Sequence, residues 1–446
     1  MIQTMIQRYS HWLRPSTWWL ALRRLVSTPL RVGVVAIAVC LSIVLSAVMA
    51  LSQSRPVQIS VLIQALETAQ WQSVVESFEA ENPDIDLNMI EGPNATNLIE
   101  DLYTSSFLLG DSPYDLVYMD IVWVPKFAAA GWLMGLSDRI SDAELGEFLD
   151  GDVNGGRYEG DLYRIPVRSD GGMLYYRSDL LEQIGAAPPE TVEELMQISQ
   201  SLQDSDAAQW GYLWQGRQYE GLSAMFVEML EGFGGFWVDP DTREVGLDKP
   251  EAIAAVQALR TTIETGVSPN GVTNYQEEEA RRLFQSGGSV FMRNWPYAWA
   301  LVNGDDSPIA GKVGIKPMVH QAGQNSGACQ GGWGFGISKS TPHPDEAWRV
   351  VDYFASAKAQ KQFILENAYV PSRRALFNDP EIVAKFSHYP DLLGVIESAV
   401  LRPPIAQYAQ ASDILQRFLS AAFTKQMTPE QAMTAAARET RRLLQS

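Results

Sequence analysis

The chain has 446 residues, of which 46% are hydrophobic and 13 are tryptophans, so it can bury a sizeable core and exceeds one ordinary domain. We therefore expect two lobes and exclude a disordered protein. Its formal charge is −19, and the only charged groups in the first 31 residues are five arginines, so the remainder carries −24. A body this acidic repels phosphate backbones, which disfavours a nucleic-acid partner.

The N-terminal segment, residues 1–54, has the pattern of an export signal. Its basic leader is followed by an uncharged apolar run at 32–51, which at about 20 residues is long enough to cross a bilayer as a helix. Because arginines precede the run and the acidic body follows it, the body is predicted to be periplasmic or otherwise extracytoplasmic. Cleavage after small residues near Ala50 and retention as an inner-membrane anchor both remain open.

Strands alternate with helices in the segment that follows. VQISVLIQAL predicts a strand, and the next stretch places Trp71, Val74 and Phe78 at helical spacing. DIDLNMIEG and DLVYMD predict two further strands, so we expect a parallel sheet and an α/β fold. Glu67 follows the first strand and Asp120 ends the third, at the carboxyl ends where such sheets bind ligands. Taken singly, either acid could be only a solvated cap.

Helical periodicity dominates the remainder of the chain. Helices are predicted after Leu180 and around 222–232, 250–265 and 275–286. A polar, Gly-rich stretch at 320–334 interrupts this pattern, and we interpret it as a loop. A long helical run and a helical C-terminus follow.

Motifs for catalysis or cofactor binding are absent from the sequence. It has no phosphate loop, dinucleotide-binding turn, zinc pair or nucleophile elbow, so no cofactor is predicted. DGDVNGGRYEGD places Asp150, Asp152 and Asn154 at the first positions of a calcium loop. The last position holds Asp161 where the template requires Glu, and the tail reads as a hairpin. We therefore interpret the segment as turns and predict no metal.

Seven stretches, in order, resemble the extracellular solute-binding proteins of carbohydrate ABC transporters (family 1, maltose/trehalose-binding type). The resemblance extends from about residue 57 to the end of the chain. It rests on PYDLVYMDIVWVPKFAAAGWL, GDLYRIPVRSDGGMLYYRSDLL, WQGRQYEGL, SVFMRNWPYAWA, QGGWGFGISKS, DEAWRVVDYFASAKAQKQF and YVPSRRAL. It implies the two-lobed periplasmic-binding-protein fold of the maltose-binding-protein type, with a ligand cleft between two α/β lobes.

The resemblance also implies that both lobes are discontinuous in sequence. The chain would cross between them near Pro166–Ser169, within 320–334 and near Val370–Arg374. Lobe 1 would comprise 57–168 and 331–368, and lobe 2 would comprise 169–330 and 369–446.

Ten residues are implied to bind the ligand. They are Glu67, Asp120, Asp170, Tyr219, Glu220, Trp295, Tyr297, Gly332, Trp333 and Arg373. Arg374 is an alternative to its neighbour Arg373. A sugar ring has an apolar C–H face and a rim of hydroxyls, so flat aromatic side chains beside charged hydrogen-bonding groups suit it. The residues Trp71, Trp123, Trp210, Trp299 and Trp348 are interpreted as core.

The function that the resemblance implies is that of a non-enzymatic, substrate-binding subunit of an ABC sugar importer. Its ligand would be a disaccharide-like glycoside of the trehalose, maltose, sucrose or glucosylglycerol class. It would deliver that ligand to membrane permease subunits, with ATP hydrolysed by a separate subunit. Two alternatives stay open: an exported glycoside hydrolase using Asp120 and Asp170, and a sugar sensor using the same cleft.

Overall fold

A computed structural model describes residues 55–94, 96–110 and 112–445, together with positions 38, 39 and 42. Apart from those three positions, the predicted leader and the apolar run at 32–51 lie outside the described residues. Among the residues that are described, no helix is both long enough and apolar enough to span a membrane. The elements below belong, from Gln58 onward, to one compact unit.

Strands and helices are numbered here in chain order. The strands are β1 (Val57–Gln64), β2 (Ile85–Gly92), β3 (Leu116–Asp120), β4 (Arg157–Tyr158), β5 (Asp161–Leu162), β6 (Ile165–Gly171), β7 (Met173–Arg177), β8 (Trp210–Leu213), β9 (Ser289–Asn294), β10 (Val313–Lys316), β11 (Ala328–Ile337) and β12 (Ala399–Val400). The helices of the N-terminal half are α1 (Ala65–Glu81), α2 (Thr96–Leu109), α3 (Val124–Ala129), α4 (Asp142–Leu145), α5 (Asp150–Asn154), α6 (Ser178–Ile184), α7 (Val192–Asp204) and α8 (Glu220–Gly232). Those of the C-terminal half are α9 (Pro250–Glu264), α10 (Glu277–Gln285), α11 (Ala298–Val302), α12 (Pro344–Ala355), α13 (Ala357–Asn367), α14 (Pro380–Lys385), α15 (Tyr389–Glu397), α16 (Tyr408–Phe423) and α17 (Pro429–Leu443).

The first sheet begins as the sequence predicts. Strand β1 pairs in parallel with β3, and α1 connects β1 to β2. Helix α1 buries the predicted stripe of Trp71, Val74 and Phe78, and the indole of Trp71 stacks on Phe363 with ring centroids 3.6 Å apart. The helical spacing of those residues therefore reports the face that packs on the core.

The sheet is parallel where β1 pairs with β3, as predicted, but the six-stranded sheet as a whole is mixed. Its strand order is β12-β11-β3-β1-β2, and β6 pairs with β11 as well. Strand β11 runs antiparallel to both β3 and β6. The loop predicted at 320–334 is therefore wrong from Ala328 onward. Glycines permit this strand, since a Cβ at Gly334 would lie only 2.3 Å from the carbonyl oxygen of Ile165.

The segment that partly matches a calcium loop forms a short helix and a hairpin. Residues 150–154 are α5, and β4 pairs with β5 in the predicted hairpin. Asp152 is fully buried, where its Oδ1 accepts a hydrogen bond from Gln330 Nε2 at 3.2 Å. Burial raises the pKa of Asp152 to about 7, although Arg164 lowers it. Within the described ranges, no group of three or more His, Cys, Asp or Glu side chains is arranged to hold a metal ion.

The second sheet positions the aromatic stretch that follows its strand β9. Its strand order is β10-β7-β9-β8, and the chain enters it directly from the first sheet, since only Gly172 separates β6 from β7. Strand β9 is buried along its whole length and ends at Asn294. Trp295 is therefore the first residue beyond a fully buried strand, at the carboxyl end of β9.

Candidate functional site

Asp120 is positioned by the end of β3. Its Oδ1 accepts a hydrogen bond from the amide of Val122 at 3.2 Å and so caps the short 3-10 helix Ile121–Trp123. The same oxygen accepts a bond from Arg402 Nη2 at 3.3 Å. Asp120 is thus both a structural cap and one partner of a charged pair.

Arg402 connects Asp120 to Glu220 at the start of α8. Its Nη1 donates to Glu220 Oε1 at 2.8 Å, and its Nη2 also reaches the carbonyl oxygen of Gln330 at 3.4 Å. Arg402 is buried, and its Nε has no hydrogen-bond partner among the described residues. A buried donor without a partner is costly, so this nitrogen is a candidate for contact with a bound molecule.

Asp170 and Trp295 both approach the backbone of β11 at Gly331. A Cβ placed on Gly331 would lie 3.0 Å from the Cβ of Asp170 and 3.4 Å from Cζ3 of Trp295. The side chain of Asp170 accepts a bond from the amide of Gly171 at 3.1 Å. Burial raises the pKa of Asp170 to about 7, against the lowering effect of Arg168. We call Asp120, Asp170, Glu220, Trp295 and Arg402 the strand-end cluster.

The indole of Trp295 lies over a buried ion pair. The guanidinium carbon of Arg293 is 4.1 Å from the centroid of the ring, which is cation–π geometry. Arg293 in turn forms a bidentate pair with Glu228, and both side chains are 0% exposed. Because that pair is enclosed by protein, the guanidinium is a fixed support for one face of the indole.

Glu67 takes part in a second buried group, beside the cluster. It is 5% exposed, and it accepts hydrogen bonds from Tyr118 Oη at 2.9 Å and Arg168 Nη2 at 2.6 Å. The guanidinium of Arg168 lies 4.6 Å from the ring centroid of Tyr369 and 5.5 Å from that of Trp333. Glu67 is therefore a paired carboxylate and not a solvated cap.

Trp333 and Gly332 lie within β11 and not in a loop. Trp333 is 7% exposed, with its ring centroid 5.0 Å from that of Tyr118 and 5.3 Å from that of Trp123. Gly332 has φ +129°, a conformation that favours glycine, and a Cβ there would lie 2.9 Å from both the Arg168 carbonyl oxygen and Asp152 Oδ1. The loop context assumed for Trp333 is thus wrong, and the ring packs mainly on other aromatics.

Tyr219 and Tyr297 are held near α10. The hydroxyl of Tyr297 donates to Glu278 Oε1 at 2.9 Å, and Tyr297 remains 36% exposed. Burial raises the pKa of Tyr219 well above its usual value, and the nearby carboxylate of Glu277 raises it further. The Tyr219 hydroxyl is buried beside the Glu277 carboxylate, and it can offer a ligand its remaining hydrogen-bonding capacity.

The structure does not bring Arg373, the predicted ligand-binding guanidinium, to the strand-end cluster. Arg373 Nε donates to the Ala355 carbonyl oxygen at 2.7 Å, Nη1 pairs with Glu147, and Nη2 lies 3.5 Å from Glu144. Its guanidinium also stacks on Phe148, 4.3 Å from the ring centroid. With all of its nitrogens engaged outside the strand-end cluster, Arg373 is not available there. The alternative, Arg374, pairs with Glu397.

Arg402 is the guanidinium that joins two of the predicted carboxylates, Asp120 and Glu220, and the sequence interpretation missed it. It lies in LRPP, where an arginine before two prolines marks a fixed extended backbone but gives no information on its partners. Its partner Asp120 is 282 residues away in the chain. A pairing between residues so far apart in the sequence is set by the fold and leaves no local sequence pattern.

The sequence matches the family model described as bacterial extracellular solute-binding protein over residues 64–361. The chain belongs to this family. A probable ABC transporter-binding protein of Deinococcus radiodurans is 33% identical over 355 residues, which is 78% of this chain and 84% of the relative. A maltotriose-binding protein of Pyrococcus abyssi is 26% identical over 324 residues, 72% of this chain and 67% of the relative.

The fold resembles that of solved solute-binding proteins. The structure of maltose-bound MalE3 from T. maritima has a TM-score of 0.80 and 37% identity, and the match covers 87% of this chain and 100% of that one. This likeness confirms the predicted two-lobed α/β fold of the maltose-binding-protein type. The relatives are solute-binding proteins and not enzymes, which supports the prediction of a non-enzyme.

Proposed function

We propose that this protein is the substrate-binding subunit of an ABC sugar importer and that its ligand is a glycoside of disaccharide size. Maltose, trehalose, sucrose and glucosylglycerol represent the ligand class. The observation that carries the proposal is the strand-end cluster, in which the indole of Trp295 adjoins Asp170 while Arg402 joins Asp120 and Glu220. The 37% identity to a maltose-bound structure adds to it.

The chemistry of the cluster suits a neutral, hydroxyl-rich ligand. Carboxylates accept hydrogen bonds from sugar hydroxyls, and the unpartnered Nε of Arg402 can donate one. Hydrogen bonds to charged groups contribute about 1.5–3 kcal/mol each, so a few of them determine which hydroxyl pattern binds. The indole of Trp295 offers the flat surface that the C–H face of a pyranose requires.

The ligand would act by contacting both lobes. We propose lobe 1 as 57–168 with 331–368, and lobe 2 as 169–330 with 369–446. Asp120 then belongs to lobe 1, whereas Glu220, Trp295 and Arg402 belong to lobe 2. A ligand can drive hinge closure only if it binds the closed state more tightly, and contacts from both lobes meet that condition.

Nine of the ten residues implied by the resemblance stay in the proposed site, and Arg402 replaces Arg373. Those nine are Glu67, Asp120, Asp170, Tyr219, Glu220, Trp295, Tyr297, Gly332 and Trp333. Glu67 and Trp333 are buried, so we assign them to the floor of the site, where their contacts hold Arg168 and Tyr118 in place. Gly332 would bring backbone close to the ligand.

The partners would be permease subunits of the cytoplasmic membrane, with a separate subunit hydrolysing ATP. The family is extracellular, which agrees with the export predicted from the N-terminal arginines. Retention of residues 32–51 as a membrane anchor stays a prediction, since that run lies outside the described residues.

Thermal unfolding of the full-length chain in mild detergent, screened against the four glycosides and against monosaccharides, tests the proposal. A ligand at 100 times its Kd adds about 2.7 kcal/mol of stability, which is roughly 3 °C for a unit of this size. A shift by one disaccharide that is recovered intact supports the binding function. A sugar recovered as cleaved product indicates a hydrolase instead, and no shift with any glycoside rejects the ligand class.

A further inference from the structure

Two adjacent acids at the start of α10 contact the two aromatic side chains next to the β9 strand end. Glu277 Oε1 accepts a hydrogen bond from Trp295 Nε1 at 3.3 Å, and Glu278 Oε1 accepts one from Tyr297 Oη at 2.9 Å. Glu278 therefore holds the Tyr297 ring, and Glu277 holds the Trp295 ring while also lying near the Tyr219 hydroxyl. Neither acid is part of the site implied by the resemblance.

The backbone around these rings is already fixed with respect to α10. Asn294 is fully buried, and its Nδ2 donates to the Glu277 carbonyl oxygen at 3.1 Å while its Oδ1 accepts from the Trp295 amide at 2.8 Å. Tyr175 Oη donates to the Trp295 carbonyl oxygen at 2.8 Å. With the backbone held, the remaining freedom of each ring is rotation about its two side-chain bonds.

The carboxylates restrict that rotation, and they are restrained themselves. Glu278 forms a bidentate pair with Arg281, at 2.8 Å to Nε and 2.7 Å to Nη2, so its position is set by the first turn of the helix. Both acids lie at a helix N-terminus, where the helix dipole favours negative charge. Arg293 supports one face of the Trp295 ring, and Glu277 holds the edge that carries the indole nitrogen.

We propose, resting on the function proposed above, that Glu277 and Glu278 are positioning residues that orient the rings of Trp295 and Tyr297 for stacking on a sugar. Ordering a flexible side chain on binding weakens an interaction, and a ring that is oriented before the sugar arrives avoids that loss. The acids would thus act on affinity through the rings, without touching the sugar.

The test compares Glu277→Ala, Glu277→Gln and Glu278→Ala with the wild type in the full-length protein. Glu430→Ala is the matched control, because it also removes a first-turn acid, at the exposed start of α17. Calorimetric titration with maltose gives Kd. Fluorine NMR of fluorotryptophan-labelled protein reports on the Trp295 ring, and Trp295→Phe identifies its resonance.

We expect Glu277→Ala to shift or broaden the Trp295 resonance and to weaken maltose binding about three- to tenfold. Glu277→Gln should restore both values, because the amide oxygen accepts the same hydrogen bond. Glu278→Ala should weaken binding to a similar degree while leaving the Trp295 resonance in place. The control should change neither quantity.

An unmoved resonance in Glu277→Ala overturns the positioning role, and weaker binding with an unmoved resonance indicates that Glu277 acts through Tyr219 or touches the sugar directly. If the wild type binds no maltose while the resonance still moves, the orienting role stands and maltose is rejected as a ligand. The resonance is measured without sugar, so failure of the positioning role and failure of the proposed function are distinguishable.

Discussion

Replacing Glu228 by Gln would test how much the buried ion pair under Trp295 contributes to stability. Glu228 and Arg293 are both 0% exposed, and Arg293 Nε donates to Glu228 Oε2 at 2.8 Å. The other carboxylate oxygen accepts a bond from the Cys329 amide at 3.2 Å. Glutamine keeps the size of the side chain but leaves the guanidinium of Arg293 buried without a counter-charge.

Breaking a buried pair by removing one partner costs about 3–5 kcal/mol, because the remaining charge is uncompensated. The unit from Gln58 to Ser446, at about 2.1 cal/mol/K per residue, has an unfolding entropy near 0.8 kcal/mol/K. The midpoint of thermal unfolding in Glu228→Gln should therefore fall by about 4–6 °C. Differential scanning calorimetry measures both the midpoint and the enthalpy.

Glu81→Gln is the control, since Glu81 pairs with Lys358 at the surface, where an ion pair contributes about 0–1 kcal/mol. Replacing both partners of the buried pair, with Leu at Glu228 and Met at Arg293, should recover part of the loss, since no charge is then left buried. Equal shifts for Glu228→Gln and Glu81→Gln would refute the reasoning from burial.

Three further changes have defined outcomes. Arg402→Met should weaken sugar binding about ten- to a hundredfold in calorimetric titration, since it removes a charged donor, whereas the exposed Arg417→Met should leave Kd unchanged. Asp152 has a pKa of about 7 in the folded protein against 3.8 when unfolded, so its contribution to stability is present at low pH and is lost as the pH rises through 7. Between about pH 5 and about pH 8, urea unfolding should show the wild type losing about 2.7 kcal/mol relative to Asp152→Asn, since about two pH units of that interval lie below the folded pKa. A loss that is the same in both proteins would contradict this. Gly160→Ala should lower the free energy of unfolding by about 1–3 kcal/mol through backbone strain alone, because Gly160 has positive φ but open space around it. Gly332→Ala should lower it by more, because a Cβ there also meets close neighbours. Equal losses, measured by urea unfolding, would show that the close contacts at Gly332 are relieved without penalty.

Elements whose identity rests on local pattern were predictable. The helical spacing of Trp71, Val74 and Phe78 gave α1 and its buried face, and apolar runs ending in a polar residue gave β1 and β3. The Gly-rich stretch from Ala328 to Trp333 was not predictable, because glycine is typical of turns and has little strand preference of its own. Pairing with β3 and β6 makes it a strand, and that pairing is tertiary.

The residues of the candidate site likewise include some that local sequence could predict and some that it could not. Asp120 ends one strand and Glu67 follows another, so a rule about strand ends placed both of them in a site region, whereas Trp295 entered the candidate site through the family resemblance. Whether Arg373 or Arg402 reaches the site depends on partners that lie far away in the chain. The residues next to each arginine in the sequence do not indicate those partners. Glu67 shows the limit of residue type as a guide, since an acid that is usually exposed is here paired with Arg168 in the interior.

The central claim is that this chain binds a glycoside of disaccharide size through the strand-end cluster. Calorimetric titration of the wild type and of Trp295→Ala with maltose, trehalose, sucrose and glucosylglycerol tests it most directly. The account predicts one-to-one binding of at least one of these sugars by the wild type. It also predicts a loss of about tenfold or more in Trp295→Ala, with little change in the unfolding midpoint because the ring is only half-buried. Equal affinity in the two proteins, or no binding of any of the four by the wild type, would contradict the account.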